Sequence, residues 1–398
     1  MTDAFLPLEG IRVLDLTQIY NGPYATFLMA MAGAEVIKVE PPGGEYLRRR
    51  DARSGADVPF AMLNGCKKSI SLNLKTEVGR GLFLRLAAQS DVVAENFAPG
   101  VMARLGLGYE ALQVANPRII LASGSGYGQD GDYRDFPAMD LTVQAMSGVM
   151  SVTGFSENPP VKSGPALADF SGGVHLYGAI TTALFRRERT GKGAWVEVSM
   201  LEAVYPSLAS NIGMLYGDRD DIPLRTGNRH GGLSLSPYNV YPTADGFIAI
   251  ICNAERHWTS LCEAMDRPDL ATDPRFVRMT SRVAHMSEVD EIVAFFTRER
   301  TKQALFEKLI AHRVPCAPVR DLQEVIEDQA LRRRGALFDI DHPTYGKLTV
   351  CSSPLRFAGV EQASYKPVPA YGAHNAEILG ALGLDATEIA ALSDAGVT

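Results

Sequence analysis

One carboxylate in the chain stands where an acidic side chain could act as a nucleophile. Asp169 lies within residues 163–173 (SGPALADFSGG), among small and apolar residues at the entrance to a helical pattern over residues 174–189. The glycines that follow it would let a bulky substrate approach the backbone, and a helix N-terminus would stabilise an anion beside it. The same position also suits an N-cap, whose side chain accepts hydrogen bonds from the amides of the first turn. The segment by itself leaves both interpretations open.

Short apolar runs alternate with helical patterns along the chain before this carboxylate. The runs favour strands, and the patterns repeat apolar residues at helical spacing. Strands are predicted at residues 11–16, 36–39, 91–95 and 118–123, and helices at residues 23–32, 77–89 and 100–115, with Thr76 as the N-cap of the second helix. Such alternation predicts a large, doubly wound α/β domain with a mainly parallel sheet and helices on both faces.

The pattern changes near Pro223. Residues 238–251 alternate aromatic and β-branched side chains around a central turn, which is typical of a hairpin, and helical patterns follow. We therefore expect a smaller α+β domain after the large one. The C-terminal segment returns to short strands and ends in helices predicted at residues 375–382 and 387–393. The predicted boundaries are residues 1–222 for the large domain, 223–334 for the small domain and 335–398 for the C-terminal segment.

The composition is that of a globular protein with room for two domains, since 46% of the 398 residues are hydrophobic and 21% are charged. A net charge of −7 argues against nucleic acid or an anionic membrane surface as the main partner. The five cysteines lack the spacing of zinc ligands or of a disulfide framework. The chain also lacks a signal-peptide pattern and an apolar run of about 18 residues. We therefore expect a cytoplasmic protein with free thiols, no bound metal and no membrane span.

The βαβ pattern at the start of the chain raises the question of a dinucleotide site. Glu40 ends the second predicted strand, where a ribose-binding acid stands in Rossmann enzymes. The turn at residues 17–23 (TQIYNGP), however, lacks the GxGxxG pattern that admits a pyrophosphate. NAD and FAD are therefore disfavoured, although the carboxyl edge of the sheet remains the expected place for a ligand.

A series of motifs, taken in order, carries a resemblance over essentially the whole chain. They are GIRVLDLT (10–17), GP (22–23), GAEVIKVEPPGG (33–44), NGCKKSISLNLK (64–75), ENFAPG (95–100), residues 140–154, the Asp169 segment, GKG (191–193), GN (227–228), PCAPV (315–319) and residues 374–397. In their order and spacing the chain resembles a family III CoA-transferase. The resemblance implies a Rossmann-like CoA-binding domain to which the C-terminal segment returns, and an interlocked homodimer.

The resemblance also implies roles for individual residues. Asp169 would be the nucleophile and Asp140 would position it, although Asp140 could also be a helix N-cap. The implied contacts with CoA fall at Tyr20, Asn21, Leu72, Lys75, Asn96, Phe97 and Arg104. Lysine and arginine suit phosphate, and asparagine with apolar neighbours suits adenine and ribose, but Lys75 or Arg104 taken singly would more often be a solvated surface charge. One family contact falls at Pro41, so the arginines at 48–50 are candidates to replace it.

Residues 227–232 (GNRHGG) match the place where the family carries a glycine-rich lid. Gly231 and Gly232 would give such a lid its mobility, and closure would shield an intermediate from water; a plain linker would look the same. Three cationic or potentially cationic side chains stand beside it, namely Arg225, Arg229 and His230. They are candidate sites for a second carboxylate on the acid substrate, as in succinate, mesaconate, itaconate or oxalate, unless they are solvated or salt-bridged.

Met139 separates two activities that the family contains. The racemase branch carries a histidine immediately before the carboxylate at 140, and methionine cannot transfer a proton. CoA transfer is therefore favoured, through an aspartyl anhydride and an aspartyl-CoA thioester, with CoA thioesters as substrates and no metal or redox cofactor. Two alternatives stay open: a 2-methylacyl-CoA racemase or isomerase with other acid and base partners, and a non-catalytic CoA-binding protein.

Overall fold

The computed structural model describes residues 5–51, 54–216 and 223–398, which fall into two compact units. The first unit comprises the described residues up to Met146 together with Pro165–Val204 and Asp328–Thr398. The second comprises Ser147–Gly164 and the described residues of Tyr205–Glu327. Both units are therefore built from segments that are discontinuous in sequence.

The first unit is organised around a parallel sheet of six strands. These are β1 Arg12–Asp15, β2 Glu35–Glu40, β3 Lys68–Ser71, β4 Val92–Glu95, β5 Ile120–Ser125 and β6 Ala194–Ser199. Their order is β3-β2-β1-β4-β5-β6, and every neighbouring pair is parallel. The direction of winding reverses between β1 and β4, and α/β sheets bind ligands at such a point, beside the carboxyl ends of the strands. The predicted doubly wound sheet is confirmed.

The remaining strands form two small antiparallel sheets. In the second unit, β7 Tyr238–Thr243 and β8 Gly246–Ile251 form the predicted hairpin, and β9 Cys316–Pro318 joins it. In the first unit, β10 Leu337–His342 pairs with β11 Gly346–Cys351.

The helices of the described residues account for most of the remaining regular structure. They are α1 Asn21–Met31, α2 Val58–Leu63, α3 Glu77–Ala87, α4 Val101–Arg104, α5 Tyr109–Ala115, α6 Asp140–Met146, α7 Val149–Val152, α8 Leu167–Thr190, α9 Met200–Val204, α10 Ala209–Gly213, α11 Glu255–Ala264, α12 Met279–Ala284, α13 Met286–Thr297, α14 Lys302–Ala311, α15 Leu322–Ile326, α16 Gln329–Arg333, α17 Asn375–Ala381 and α18 Ala386–Asp394. Short 3₁₀ turns cover Tyr205–Leu208, Met214–Tyr216 and Pro268–Ala271. None of the described helices is long and apolar enough to cross a membrane.

Both faces of the large sheet are buried, because successive strand residues point to opposite sides. Val13 packs with α1 and α8 on one face, whereas Leu14 packs with α3 and α5 on the other. Leu379 of α17 belongs to the second of these clusters, so the C-terminal helices are part of the first unit. The second unit has its own core, in which β7 and β8 pack against α11, α13 and α14.

Two helix predictions were wrong in detail. The predicted helix over 100–115 is two helices, because the chain turns between α4 and α5, where Gly106 has a φ of +72°. The helix after the Asp169 segment begins at Leu167 and not at residue 174. Asp169 therefore lies inside the first turn of α8. The predicted cap of α3 is confirmed, since the Thr76 hydroxyl accepts a hydrogen bond from the amide of Gly79 at 3.0 Å.

Candidate active site

Asp169 lies in the wall of a cavity of about 580 Å³ in the first unit. Only 8% of the residue is exposed. The N-cap of α8 is Ala166, which has no capping side chain, and Asp169 does not cap the helix that contains it. The interpretation of Asp169 as an N-cap is therefore wrong. Within the described residues no donor hydrogen-bonds to its carboxylate, which leaves that group available to a ligand in the cavity.

The helix end is instead capped by a carboxylate from another helix. Oδ1 of Asp140, at the start of α6, accepts hydrogen bonds from the amides of Ala168 at 2.8 Å and of Asp169 at 3.2 Å. Its Oδ2 accepts one from Nε2 of Gln144 at 2.7 Å. These bonds satisfy amides that a helix N-terminus otherwise leaves without partners. Asp140 thus fixes the backbone of Asp169 and places a second negative charge beside it.

This environment changes the acidity of Asp169. Burial, and after it the negative charge of Asp140, raises the pKa of Asp169 from its ordinary value of 3.8 to about 7. A carboxylate in this setting is weakly solvated, and its negative charge is not neutralised by a neighbour. Its ionised form is therefore high in energy and well suited to attack an electrophile.

The turn between β1 and α1 forms another part of the cavity wall and is strained. Ile19, a β-branched residue, has a φ of +66°, which side chains of this type rarely adopt. The side-chain amide of Asn96 holds the turn by accepting from Gln18 N at 2.7 Å and donating to Gln18 O at 2.8 Å. Glu45 accepts the amide of Ile19 at 3.0 Å. Asn96 therefore has a structural role in shaping the cavity in addition to lining it.

A buried ion pair stabilises the start of α1, which directly follows the same turn. Nζ of Lys67 lies 2.8 Å from Oδ2 of Asp15, and both side chains are fully buried. The ammonium group also donates to the Pro23 carbonyl, the Thr26 hydroxyl and the Asn64 amide oxygen. This network fastens the start of α1 to the sheet and gives the NGCKK motif a structural function.

The glycines after Asp169 serve a purpose other than the predicted one. A Cβ on Gly172 would lie 2.2 Å from Nδ2 of Asn21, and one on Gly173 would lie 2.5 Å from the carbonyl oxygen of Asn21. The close approach at this point is therefore between α8 and α1, and not between backbone and substrate. Nδ2 of Asn21 in turn donates to the carbonyl oxygen of Asp169 at 3.4 Å.

The seven residues predicted to contact CoA divide into two groups. The cavity that contains Asp169 is also lined by Asn21, Asn96, Phe97 and Arg104. The other three do not line it: Tyr20 stacks on Phe170, Leu72 is 1% exposed in the core of the sheet, and Lys75 is an exposed residue beyond the end of β3.

Arg48, a candidate to replace the missing contact at Pro41, binds other groups of the protein. Its guanidinium donates to both carboxylate oxygens of Glu40, at 2.7 and 2.8 Å, and to the carbonyl of Pro369. A bidentate pair of this kind occupies the face with which arginine recognises a phosphate. The structure thus gives Arg48 a role in packing the C-terminal segment against β2.

The predicted lid and acid-binding residues lie in the second unit. Of the glycines in the 227–232 segment, only Gly227 has a positive φ, whereas a Cβ on Gly231 would lie 2.8 Å from Nδ2 of Asn211. Arg225 donates to the carbonyls of three residues in the Phe155–Asn158 turn. Arg229 forms an ion pair with Asp290 at 2.7 Å.

His230 also has partners within this unit. Its Nδ1 accepts the amide of Gly232 at 3.1 Å and lies 3.2 Å from Oγ of Ser234. The contacts of Arg225 and Arg229 favour the alternative that these arginines bind protein groups and not a substrate carboxylate. The lid formed by Gly231 and Gly232 and the acid-binding role of these residues stay predictions.

Arg134 was missed by the sequence analysis, although it lines the same cavity as Asp169. It lies in the loop between β5 and α6, outside every motif that carried the resemblance. The available signal was its place in a loop after a strand at the carboxyl edge of a parallel sheet, where ligand contacts concentrate. No cluster of three or more His, Cys, Asp or Glu side chains able to hold a metal ion occurs in the described part of the chain.

Comparison with known proteins identifies the family to which the chain belongs. A family model described as CoA-transferase family III matches residues 8–375. The chain belongs to this family. It is 36% identical to formyl-CoA:oxalate CoA-transferase of Streptomyces avermitilis over 98% of this chain and 99% of that protein. It is also 36% identical to succinyl-CoA:mesaconate CoA-transferase of Haloarcula hispanica, over 95% of this chain and 96% of that protein.

A solved structure shows the same fold. The crystal structure of a CaiB/BaiF family protein from Brucella suis superposes with a TM-score of 0.82 at 31% identity, covering 95% of this chain and all of that one. The resemblance inferred from the motifs is confirmed at the level of family and fold. Transfer of CoA is accordingly the general activity of this family III member.

Proposed function

We propose that the protein transfers CoA from an acyl-CoA donor to a dicarboxylic acid, with Asp169 as the nucleophile. The observation that carries the proposal is the state of that carboxylate. It lies in the cavity wall without a hydrogen-bond donor among the described residues, while Asp140 fixes its backbone. A structural carboxylate in such a buried place would be paired or hydrogen-bonded.

The first half of the reaction moves CoA onto the protein. A carboxylate oxygen of Asp169 attacks the thioester carbonyl of the donor, the C–S bond breaks and CoA thiolate leaves, which produces a mixed anhydride. The thiolate then attacks the aspartyl carbonyl and releases the donor acid as its carboxylate. Asp169 now carries CoA as a thioester, and no proton has been gained or lost.

The second half reverses these steps with the acceptor acid. The carboxylate of the acceptor attacks the aspartyl thioester and expels the thiolate, which forms a second anhydride. Attack of the thiolate on the acceptor's acyl carbon yields the new acyl-CoA and regenerates the Asp169 carboxylate. Each tetrahedral intermediate carries a negative charge that backbone amides at the cavity wall can stabilise.

The choice of a dicarboxylate as the acid follows from the relatives. Those compared above are named for oxalate and for succinyl-CoA with mesaconate. Oxalate, succinate, mesaconate and itaconate share two carboxylates, of which one reacts and the other can serve for recognition. A panel of mono- and dicarboxylates tests this choice, since equal use of acetate and succinate would contradict it.

The test of the nucleophile combines transfer with trapping. Wild-type protein, Asp169→Asn and Asp140→Asn are incubated with succinyl-CoA or acetyl-CoA and the acid panel, and new CoA thioesters are identified by mass spectrometry. Asp169→Asn should lose transfer by several orders of magnitude, because an amide cannot form the anhydride. Hydroxylamine added to the wild type with acyl-CoA should leave a hydroxamate on the peptide that contains Asp169.

The control variant Asp140→Asn keeps the nucleophile and should transfer slowly while still trapping at Asp169. An adduct on Asp140 or Cys66, or near-normal transfer by Asp169→Asn, would refute the proposal. Exchange of the α-proton of an acyl-CoA in deuterated water without transfer would favour the racemase alternative.

A further inference from the structure

One residue in the wall of the cavity that contains Asp169 has a costly backbone conformation. Ile19 lies in the turn between β1 and α1 with a φ of +66°, in the left-handed region. A β-branched side chain is a rare occupant of that region, which glycine adopts without strain. Strained residues persist only where the surrounding structure imposes them, and they concentrate at functional sites. The side chain at position 19 is therefore expected to serve a purpose that a glycine would not.

Packing in a protein core does not supply that purpose. None of the three cores described above, on the two faces of the large sheet and in the second unit, includes Ile19. Ile19 lies instead in the lining of the cavity, as does Asn21. Tyr20, between these two residues, stacks on Phe170 outside the lining. Ile19 is thus placed to touch the occupant of the cavity.

A buried carboxylate from the loop after β2 holds Ile19 in this conformation. Oε1 of Glu45 accepts a hydrogen bond from the amide of Ile19 at 3.0 Å, and Oε2 accepts one from the amide of Leu47 at 3.1 Å. Glu45 is only 2% exposed. A glutamine has one acceptor oxygen and one donor nitrogen, so it could not accept both amides. Glu45 therefore fixes the turn through contacts that a carboxylate makes and an amide does not.

Charged neighbours hold Glu45 itself in place. Its amide donates to Oε2 of Glu40 at 3.1 Å, and Glu40 is in turn bound by both arms of the Arg48 guanidinium. The negative charge of Glu45 also favours the charged form of the buried Lys67. The conformation of Ile19 is thus imposed by a buried network and not by the turn alone.

We propose that Ile19 is a positioning residue for CoA transfer and that Glu45 acts through it. In this proposal, which rests on the proposed function, the branched side chain of Ile19 packs against the thioester end of the acyl-CoA and keeps its carbonyl carbon within reach of the Asp169 carboxylate. A stiff apolar side chain suits this task, because it restricts a bound group without competing for hydrogen bonds. Misplacement of a reacting group by about 1 Å can cost on the order of 100-fold in rate.

The test separates the side chain from the strain. Ile19→Gly removes both, whereas Ile19→Val keeps a branched side chain in the same conformation. Ile19→Gly should have a urea midpoint no lower than that of the wild type, because the strain is relieved. Its kcat should nevertheless fall roughly tenfold or more, with the affinity for CoA changed by less than about threefold. Ile19→Val should transfer within about threefold of the wild type.

The matched control is Arg313→Gly. Arg313 is an exposed residue of the second unit with a φ of +57°, so this variant makes the same replacement at another left-handed position. It should transfer CoA at the rate of the wild type. Near-normal transfer by Ile19→Gly, or an equal loss in Ile19→Val, would overturn the inference.

A double-mutant cycle tests whether Glu45 acts through Ile19. Glu45→Gln should lower kcat in the wild type, and this loss should disappear in the Ile19→Gly background, where no side chain remains to be positioned. A carboxylate with a merely structural role would give losses that add, and that result would also overturn the inference. If Glu45→Gln is too unstable to assay, the comparison of Ile19→Gly with Ile19→Val decides by itself.

The two proposals fail separately. Normal hydroxamate trapping at Asp169 together with unimpaired transfer by Ile19→Gly would refute the role of Ile19 and leave the proposed function standing. The expected losses at position 19 in a protein whose Asp169→Asn variant still transfers CoA would refute the nucleophile and leave the role of Ile19 in transfer standing.

Discussion

Replacement of Asp169 by Asn should stabilise the folded protein at alkaline pH while it abolishes transfer. Burial first, and the charge of Asp140 second, raises the pKa of this carboxyl from 3.8 to about 7. Between these pH values the folded protein holds a proton that the unfolded chain has released. The free energy of unfolding therefore falls as the pH rises through this window, and the penalty is complete above about pH 7.

The size of the effect follows from the same values. A gap of about three pH units corresponds to at most about 4 kcal/mol, at about 1.4 kcal/mol per unit. The Asn amide is itself buried without an evident partner, which costs roughly 1 to 3 kcal/mol. We expect Asp169→Asn to exceed the wild type in unfolding free energy by about 2 kcal/mol at pH 8.5, and by less at pH 5.

Urea denaturation at these two pH values and one protein concentration measures the difference. Asp339→Asn is the control, because a hydrogen bond from Thr349 and, after it, one from Arg332 lower the pKa of exposed Asp339. Stability contributed by a lowered pKa is present at neutral pH, so this variant should lose stability at pH 8.5. If Asp169→Asn gains nothing at pH 8.5 relative to pH 5, the carboxylate is not held in an unfavourable environment and the argument for its reactivity is wrong.

Three further outcomes are expected. The initial rate of transfer at low acyl-CoA should rise with pH to a plateau, with a midpoint near 7, because the nucleophile must be ionised. Asp140→Asn should move this midpoint downward, and an unchanged midpoint would contradict an effect of the Asp140 charge on the pKa of Asp169. Lys67→Met should cost about 3 kcal/mol in denaturation experiments, because it removes the ammonium group 2.8 Å from buried Asp15 and leaves that carboxylate with Lys38 at 4.0 Å. A loss below about 1 kcal/mol would show the network to be dispensable. Sedimentation at low micromolar concentration should show a dimer, as the family resemblance implies, and a monomer would refute this. Exposed apolar side chains on α8 favour such an interface, since Val174 is 48% exposed and Phe185 is 66% exposed.

Periodicity along the chain predicted strands at residues 11–16, 36–39, 91–95 and 118–123, and each of them overlaps a strand of the large sheet. β1 lies within the strand predicted at 11–16, and β7 and β8 form the hairpin predicted over 238–251. These elements bury one or both faces, so packing imposes a local pattern that can be read directly. The break between α4 and α5 was missed because a single turn at Gly106 leaves the apolar pattern on both sides intact.

The candidate site was predictable to the extent that its residues stand in motifs that can be recognised in the sequence. Asp169, Asn96 and Arg104 were singled out by motif and position, and all three line one cavity. The partners of these residues were not predictable. Asp140 caps α8 across 28 positions in the sequence, and Arg134 meets Arg104 over Gly100 from a different segment. The ion pair between Arg229 and Asp290 joins residues 61 positions apart in the sequence. Such contacts depend on how distant segments of the chain pack together in the folded protein. Helical or strand periodicity relates residues only a few positions apart and therefore cannot predict them.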